Sequence, residues 1–291
     1  MDGPRFRWTS TARSDVGLVR HINEDACLAL PHRGIWAVAD GMGGHAFGEV
    51  ASAMVVDALA ALSALAPPVT MDRLAEAVRL SMQVVNHALR EQALMHDVAL
   101  VGSTVVVLLA IDAECTILWA GDSRAYRLRG SRLQQLTRDH SQAPLSGNDS
   151  PVAALPRQVS RGAQVNVPAP DNSLDDLTCY LLPASVGNIG SISHTAMGIT
   201  RAVGATDALV LEERRFPVQD GDIFLLCSDG LSRDTDLADI ARILAPGNSR
   251  HAAQSLITLA LEQGGRDNIS VVVTTADDPW SADRTLLNPA C

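Results

Sequence analysis

Five acidic segments of the chain stand at the ends of predicted strands, each beside glycine or in turn-like sequence. They are Asn23-Glu24-Asp25, 40–44, Gly121-Asp122-Ser123, Ser228-Asp229-Gly230 and Asp267-Asn268. Aspartates beside flexible backbone at strand ends can bring hard oxygen ligands together, and Mg²⁺ and Mn²⁺ prefer such ligands. Each segment taken alone is better explained as a turn. The same pattern at five strand ends favours a hydrolytic site built on two metal ions.

The elements that must position these acids change in type along the chain. Apolar and β-branched runs predict strands at 8–12, 27–30, 34–39, 103–111, 116–120, 125–129, 223–227 and 269–274. Apolar spacing predicts helices at 47–65, 72–94, 236–244 and 251–263. The first helix is apolar nearly all round, so we expect it to be buried inside. This order predicts an α+β fold of layered sheets with helices outside, rather than a doubly wound parallel sheet.

Composition narrows the class of protein. The chain has 23 basic and 33 acidic side chains and a net charge of −10, which argues against a nucleic-acid-binding protein. Five cysteines without a CxxC pair indicate reduced thiols rather than disulfides or a zinc site. The N-terminus lacks the apolar core of a signal peptide, and the apolar stretch at 51–66 is shorter than the roughly 20 residues that a membrane span needs. We therefore expect a cytoplasmic protein with no membrane span.

Eight segments resemble, in order, the motif series of the PPM-type phosphatases, the metal-dependent serine/threonine protein phosphatases of type 2C, in their bacterial form. They are SDVGLVRHINEDA (14–26), VADGMGG (38–44), GST (102–104), WAGDSRAYRL (119–128), LTRDHS (136–141), ITRAVG (199–204), DGDIFLLCSDGLS (220–232) and DNISVVV (267–273). Eight segments in family order are far more specific than any one of them. The resemblance implies a four-layer αββα sandwich, in which two antiparallel sheets are flanked by pairs of antiparallel helices.

The resemblance also implies a set of metal ligands. Asp40 corresponds to the aspartate that bridges two ions. Glu24 and the carbonyl of Gly41 correspond to ligands of one ion, and Asp229 and Asp267 to ligands of the other. The implied cofactors are two Mn²⁺ or Mg²⁺ ions, between which the pKa of water falls from 15.7 towards ~7.

Three further roles follow from the same resemblance. Asp25 corresponds to an acid that orients the attacking water, and Arg20 to the arginine that grips the substrate phosphate. Asp122 corresponds to a ligand of a third, weakly bound ion. Many relatives have another aspartate for that ion four residues after the position of Asp229, where this chain has Arg233 followed by Asp234. Either Asp234 serves instead or the third site is weakened, and we favour the weakened site.

A second departure concerns the residue after the bridging Asp-Gly pair. Animal members have a histidine there, a proposed general acid, whereas this chain has Met42, as bacterial relatives commonly do. His45 lies nearby, but a histidine at the start of a helix is more often a surface or capping residue than an acid.

The resemblance implies a protein serine/threonine phosphatase that hydrolyses phosphoserine and phosphothreonine by direct attack of water. Its partners would be phosphorylated proteins, the products of a eukaryotic-like bacterial Ser/Thr kinase, and we expect a monomer. One alternative is a catalytically weak PPM-like module that binds phosphoproteins, but such a module should have lost its metal ligands. Another is a phosphatase dedicated to phosphorylated anti-sigma antagonists, although those usually carry sensory domains.

We predict a single phosphatase domain over 1–275 and a flexible C-terminal tail over 276–291. Residues 141–197 form a proline-rich insert with one strand candidate, at 178–182. The insert replaces and lengthens the flap of bacterial relatives. We expect it to overhang the metal site and to select phosphoprotein substrates.

Overall fold

A computed structural model of the 291-residue chain describes residues 6–43, 47–66, 70–142 and 198–279. The strands within these ranges are β1 (Arg7–Asp15), β2 (Asp25–Leu30), β3 (Ile35–Met42), β4 (Gly102–Ser103), β5 (Val105–Ile111), β6 (Glu114–Ala120), β7 (Arg124–Arg129), β8 (Arg132–Gln135), β9 (Ser141–Gln142), β10 (Gly198–Ile199), β11 (Glu212–Pro217), β12 (Asp222–Cys227) and β13 (Ile269–Asp277). The helices are α1 (Phe47–Ala61), α2 (Met71–Met95), α3 (Asp229–Ser232), α4 (Leu237–Leu244) and α5 (Ser249–Glu262).

Eleven of these strands form two antiparallel sheets. The order is β1-β13-β12-β7-β8 in the first sheet and β11-β6-β5-β3-β2 in the second, where β4 also pairs with β3. An apolar core that includes Trp36, Leu108 and Phe224 lies between the sheets. Helices α1 and α2 pack on the outer face of the second sheet, and α4 and α5 pack on the outer face of the first. The predicted α+β sandwich of two antiparallel sheets covered by helices is confirmed.

The central strands have continuous apolar sequences because both of their faces are buried. In β5, Val105, Val107 and Leu109 pack towards the helices, whereas Val106 and Leu108 belong to the core between the sheets. Successive side chains of a strand point to opposite faces, so a strand enclosed on both sides needs apolar residues at every position. The same layering explains the fully buried sequence of β12.

The expectation that the first long helix is buried all round is wrong. Ala51, Val55 and Leu59 of α1 are fully buried against the sheet, but Val50 is 45% exposed. Helix α1 and the 3-10 turn that follows it, Phe47–Ala64, are long and apolar enough to cross a membrane by length and composition, with 28% of the stretch buried. Core helices of globular proteins pass the same test.

The closing strand is longer than predicted, and it includes residues 276 and 277, which the prediction assigned to the tail. Strand β13 continues to Asp277, which pairs with Arg7 of β1. Ala276 is fully buried and pairs with Trp8 on one side and Asp222 on the other. Backbone pairing with β1 therefore extends the strand over 275–277, although the apolar pattern of the sequence weakens after residue 274. Residues 280–291 lie outside the described part of the chain.

Strand β11 was missed by the apolar pattern. Its sequence, EERRFP, is mostly exposed, yet it pairs with β6 over its whole length. Edge strands often carry charged residues and proline, which hinder pairing with other chains, and this composition hides them from hydrophobic patterning.

The predicted insert begins and ends at a short antiparallel pair. Ser141 pairs with Ile199, and Gln142 pairs with Gly198. Residues 143–197, including the strand candidate at 178–182, lie outside the described residues.

Candidate active site

Two of the predicted acids are direct cross-strand neighbours. Asp25, the first residue of β2, is paired with Asp40 of β3. Directly opposite residues of an antiparallel pair project to the same face of a sheet. Asp25 is buried, and its Oδ2 accepts a 2.7 Å hydrogen bond from the hydroxyl of Ser228, at the end of β12. The register of one sheet and a side chain of the other therefore position this carboxylate between the two sheets.

The electrostatics of this pair reflect crowding of like charges in a buried place. Burial raises the pKa of Asp25 to about 7 against the hydrogen bond from Ser228, and the nearby charges of Asp229 and Asp267 add to the rise. Burial raises the pKa of Asp40 well above its usual range, and the other aspartates of the site raise it further. Both shifts have the sign expected for carboxylates that lack a compensating positive charge.

The backbone of Asp40 is held by two small polar residues for which the sequence predicted no chemical role. Its N–H donates to Thr104 Oγ1 at 3.0 Å, and its carbonyl accepts from the N–H of Thr104 at 2.8 Å. The hydroxyl of Ser103 donates to the same carbonyl at 3.1 Å. Thr104 also shares a 2.7 Å hydrogen bond with Ser123, next to Asp122. The GST motif therefore positions two of the acidic segments.

Asp229 and Asp122 reach the site from the first sheet and from a connection between the sheets. Asp229 follows β12 directly and begins α3, and Asp122 lies in the turn from β6 to β7. Burial raises the pKa of Asp229 to about 6, and the charge of Asp122 contributes to the shift. Burial also raises the pKa of Asp122. Gly121, with a φ of 115°, makes this turn in a conformation that other residues rarely adopt.

Asn268 ties the loop before β2 to the start of β13. Its Nδ2 donates to the carbonyls of Val16 and Ile22 at 2.9 and 3.0 Å, and its Oδ1 accepts from the N–H of Glu24 at 2.8 Å. These bonds hold both ends of the segment that carries Arg20. As a result, residues from opposite ends of the sequence are joined at the site.

Arg20 lies among the acids, with its side chain half exposed. Its Nη2 donates to Asp267 Oδ2 at 2.9 Å. The charges of Glu24 and Asp40 also act on this guanidinium. Arg20 is thus placed beside the carboxylates, as its predicted role requires, and it pairs with one of the predicted metal ligands.

Glu24 lies against a glycine that the sequence did not single out. Any Cβ at Gly48, near the start of α1, would collide with the carboxylate of Glu24. A Cβ at Gly41 would collide with the carbonyl of Gly48, and the N–H of Gly41 donates to the Glu24 carbonyl at 3.0 Å. The strand, the helix and the Glu24 loop meet so closely that only glycine fits at both positions.

The two residues considered for a third ion have different surroundings. Arg233 donates a hydrogen bond to Asp229 Oδ2, and its Nη1 is 3.9 Å from Asp267 Oδ2. Asp234 instead accepts from Arg266 Nη1 at 3.1 and 3.3 Å. Asp234 is therefore paired with another arginine and does not take the position that Arg233 occupies.

The carboxylates fit a cation by their chemistry. Within the described residues, Asp25, Asp122 and Asp229 each have one buried carboxylate oxygen that accepts no hydrogen bond. A buried carboxylate oxygen without a donor is costly unless a positive charge compensates it. In the same part of the chain, no three His, Cys, Asp or Glu side chains already form a closed ligand group. The donor set suits Mg²⁺ or Mn²⁺, and binding would require the side chains to close around the ions.

His140 is a site-supporting residue to which the sequence pattern assigned no role. It is buried, its Nδ1 accepts from the N–H of Gly121 at 3.2 Å, and its own backbone N–H donates to the Gly121 carbonyl at 3.0 Å. Its Nε2 lies 3.1 Å from Glu212 Oε1, on β11. His140 and Gly121 are 19 residues apart in the sequence, so no local motif indicated that this histidine holds the turn of Asp122. His45, which the sequence offered as a nearby histidine, lies outside the described residues.

Comparison with known proteins gives a match to "Protein phosphatase 2C" over residues 19–261. The chain belongs to the protein phosphatase 2C family. Within this family it is 35% identical to the serine/threonine protein phosphatase PstP of Mycobacterium tuberculosis, over 92% of this chain. The match spans 45% of that longer relative.

Solved structures of this family share the fold. PppA, a key regulatory component of T6SS in Pseudomonas aeruginosa, is 34% identical with a TM-score of 0.71, covering 92% of this chain and 97% of PppA. The catalytic domain of PstP in complex with two manganese ions is 31% identical with a TM-score of 0.68, covering 94% of this chain and 100% of that domain. A two-manganese centre therefore occurs on this fold in a protein phosphatase 2C relative.

Proposed function

We propose that this chain is a protein serine/threonine phosphatase that uses two divalent ions, Mn²⁺ or Mg²⁺. The observation that carries the proposal is the convergence of five aspartates, three of which keep a buried carboxylate oxygen that accepts no hydrogen bond from any described residue. Such a set repels itself unless cations bind. Its residues correspond to the family motifs, and a relative with the same fold contains two manganese ions.

We propose the ligands that the family resemblance implies. The two ions would be held by Asp40, by Glu24 and the Gly41 carbonyl, and by Asp229 and Asp267. When bound, two divalent ions activate water for attack on phosphorus and neutralise charge on the phosphoryl oxygens. The described residues 6–142 and 198–279, with their gaps, contain every residue of this assignment.

Asp25 and Arg20 perform the parts of the reaction that belong to the protein. Asp25 Oδ2 is held by Ser228, whereas no donor among the described residues reaches Oδ1, so this oxygen can orient a water molecule and accept its proton. Arg20 is half exposed at the edge of the site, where its planar guanidinium can leave Asp267 to grip a substrate phosphate.

The direct test is hydrolysis of p-nitrophenyl phosphate and of phosphoserine and phosphothreonine peptides in the presence of Mn²⁺. We expect activity that EDTA removes and that falls at least 100-fold in Asp40→Ala and Asp229→Ala. Asp57→Ala, which changes an exposed acid of α1, serves as the matched control and should retain full activity. Activity that survives EDTA or either site substitution would refute the two-ion mechanism.

We also propose a class of physiological substrates. They are phosphoproteins, namely the products of a bacterial Ser/Thr kinase, and we propose that the enzyme meets them in the cytoplasm. The three described cysteines, Cys27, Cys115 and Cys227, are all free, which suits a reducing compartment. We propose a monomer, which the elution volume of the purified protein would test.

The phosphoprotein-binding module is the second candidate and differs in one measurable property. It predicts binding of a phosphopeptide without turnover in Mn²⁺. The retained acids and Arg20 favour the enzyme, since a binding module has no need for five aspartates that destabilise one another.

A further inference from the structure

The guanidinium of Arg233 lies among the acids of the site. It donates to Asp229 Oδ2 and approaches Asp267 Oδ2 to 3.9 Å. Its charge also acts on Asp122, where it opposes the rise in pKa that burial causes. One positive charge therefore compensates three carboxylates on the same side of the site. The side chain is 57% exposed, so it reaches the acids from the surface.

The pairing leaves Asp229 with one oxygen committed and one free. Oδ2 accepts from Arg233, whereas Oδ1 is buried and accepts no hydrogen bond within the described part of the chain. Arg233 therefore also determines which oxygen of Asp229 remains available to a cation. Asp234 is not available as a ligand of a third ion in place of the missing aspartate, because its carboxylate accepts hydrogen bonds from Arg266.

We infer that Arg233 takes the place and the charge of a third cation, so that this chain binds two divalent ions and does not bind a third. The inference rests on the proposed two-ion function. An arginine is permanently charged in proteins, so its guanidinium repels a further divalent ion from Asp122 at every accessible pH. The same charge neutralises part of the acidic cluster without any ion from solution.

Calorimetric titration of Mn²⁺ into the metal-free full-length chain tests this inference. We expect two ions per wild-type chain. Arg233→Asp removes the fixed charge and adds a carboxylate, so we expect a third ion, bound at least tenfold more tightly than any further ion in the wild type. The double variant Arg233→Asp/Asp122→Asn should return to two ions. Arg242→Asp, a charge reversal at another exposed, ion-paired arginine, is the matched control and should bind two.

The possible outcomes separate this inference from the function on which it rests. Three ions in the wild type, or no third ion in a folded Arg233→Asp variant, would overturn the role of Arg233 and leave the two-ion enzyme intact. A wild type that binds no Mn²⁺ would overturn both. If Arg233→Asp does not fold, Arg233→Gln removes the charge and keeps hydrogen-bond donors. A third ion should then bind at higher Mn²⁺ concentration, and identical titrations of Arg233→Gln and wild type would contradict the inference.

Discussion

Asp25 and Asp40 occupy opposite positions of the β2–β3 ladder, so a buried carboxylate and a half-buried one lie on the same face. Like charges directly opposite each other destabilise a sheet. Sheet pairing nevertheless holds them together, because Thr104 holds the backbone of Asp40 and Ser228 holds the carboxylate of Asp25. The fold therefore keeps an arrangement that is unfavourable until positive charge reaches it.

Metal should stabilise the protein. Ligand at 100 times its dissociation constant adds about 2.7 kcal/mol to the free energy of unfolding, or roughly 5 °C in melting temperature. Asp40→Asn should raise the melting temperature of the metal-free protein by roughly 2–4 °C, because it removes one of the repelling charges, and should abolish most of the shift with Mn²⁺. Thermal melts with and without Mn²⁺ measure both effects, with Asp57→Asn as control. A full Mn²⁺ shift in Asp40→Asn would contradict the role of this residue.

The metal-free protein should lose stability as the pH rises through the acidic range. The pKa values of Asp25 and Asp229 are raised in the folded chain to about 7 and about 6. The folded state therefore holds protons that the unfolded state, with carboxyl pKa values of about 4, has already released. The contribution of these groups is present below pH ~4 and is lost by pH ~7. Urea unfolding at pH 5 and pH 8 measures it, and the loss should be smaller in Asp25→Asn. An equal loss in wild type and variant would show that Asp25 is not responsible.

Gly48→Ala should separate stability from metal binding. Alanine is favoured over glycine in helices by up to about 1 kcal/mol, but its Cβ at this position collides with the carboxylate of Glu24. We expect Mn²⁺ affinity and phosphatase activity to fall at least tenfold in a protein that remains folded. Asp57→Ala, at an exposed position of the same helix, is the control and should change neither. Unchanged Mn²⁺ affinity in Gly48→Ala would mean that Glu24 does not ligate an ion.

Asn268→Ala should disconnect the Arg20 segment from β13. The substitution removes hydrogen bonds to Glu24, Val16 and Ile22, so it should cost roughly 2–3 kcal/mol in stability. It should also raise the KM for a phosphopeptide at temperatures where the variant is still fully folded, because Arg20 loses its position. Asn248→Ala removes a helix N-cap and should cost about 1 kcal/mol with unchanged kinetics. Equal kinetics in the two variants would exclude a positioning role for Asn268.

Much of the fold could be predicted from periodicity and composition. The strands of the two sheets that are buried on both faces, such as β5 and β12, are apolar at almost every position and were found at nearly their observed bounds. Strand β11 could not be found in this way, because its exposed edge carries charge instead of apolar side chains. The one-sided burial of α1 was equally hidden, since its sequence is apolar on faces that the structure leaves partly exposed.

The supporting residues of the site were harder to predict than its acids. Aspartates at strand ends beside glycine form a local pattern, whereas the contacts of His140 with Gly121 and of Gly48 with Glu24 join segments distant in sequence. No local spacing encodes such contacts. His140 carried no signal beyond its place in a family-like motif, and Gly48 gave none beyond its place near the start of a helix.

The sequence by itself determined the types of residue at the site, the order of the motifs and the layered α+β class, because these depend on local chemistry and on periodicity within single elements. Only the tertiary structure decided which acid faces which, that Arg233 pairs with Asp229, and that Asp234 is held by Arg266. The physical reason is that strand register and sheet packing bring together residues such as Arg20 and Asp267 from opposite ends of the chain. Their mutual charge and burial exist only after that assembly.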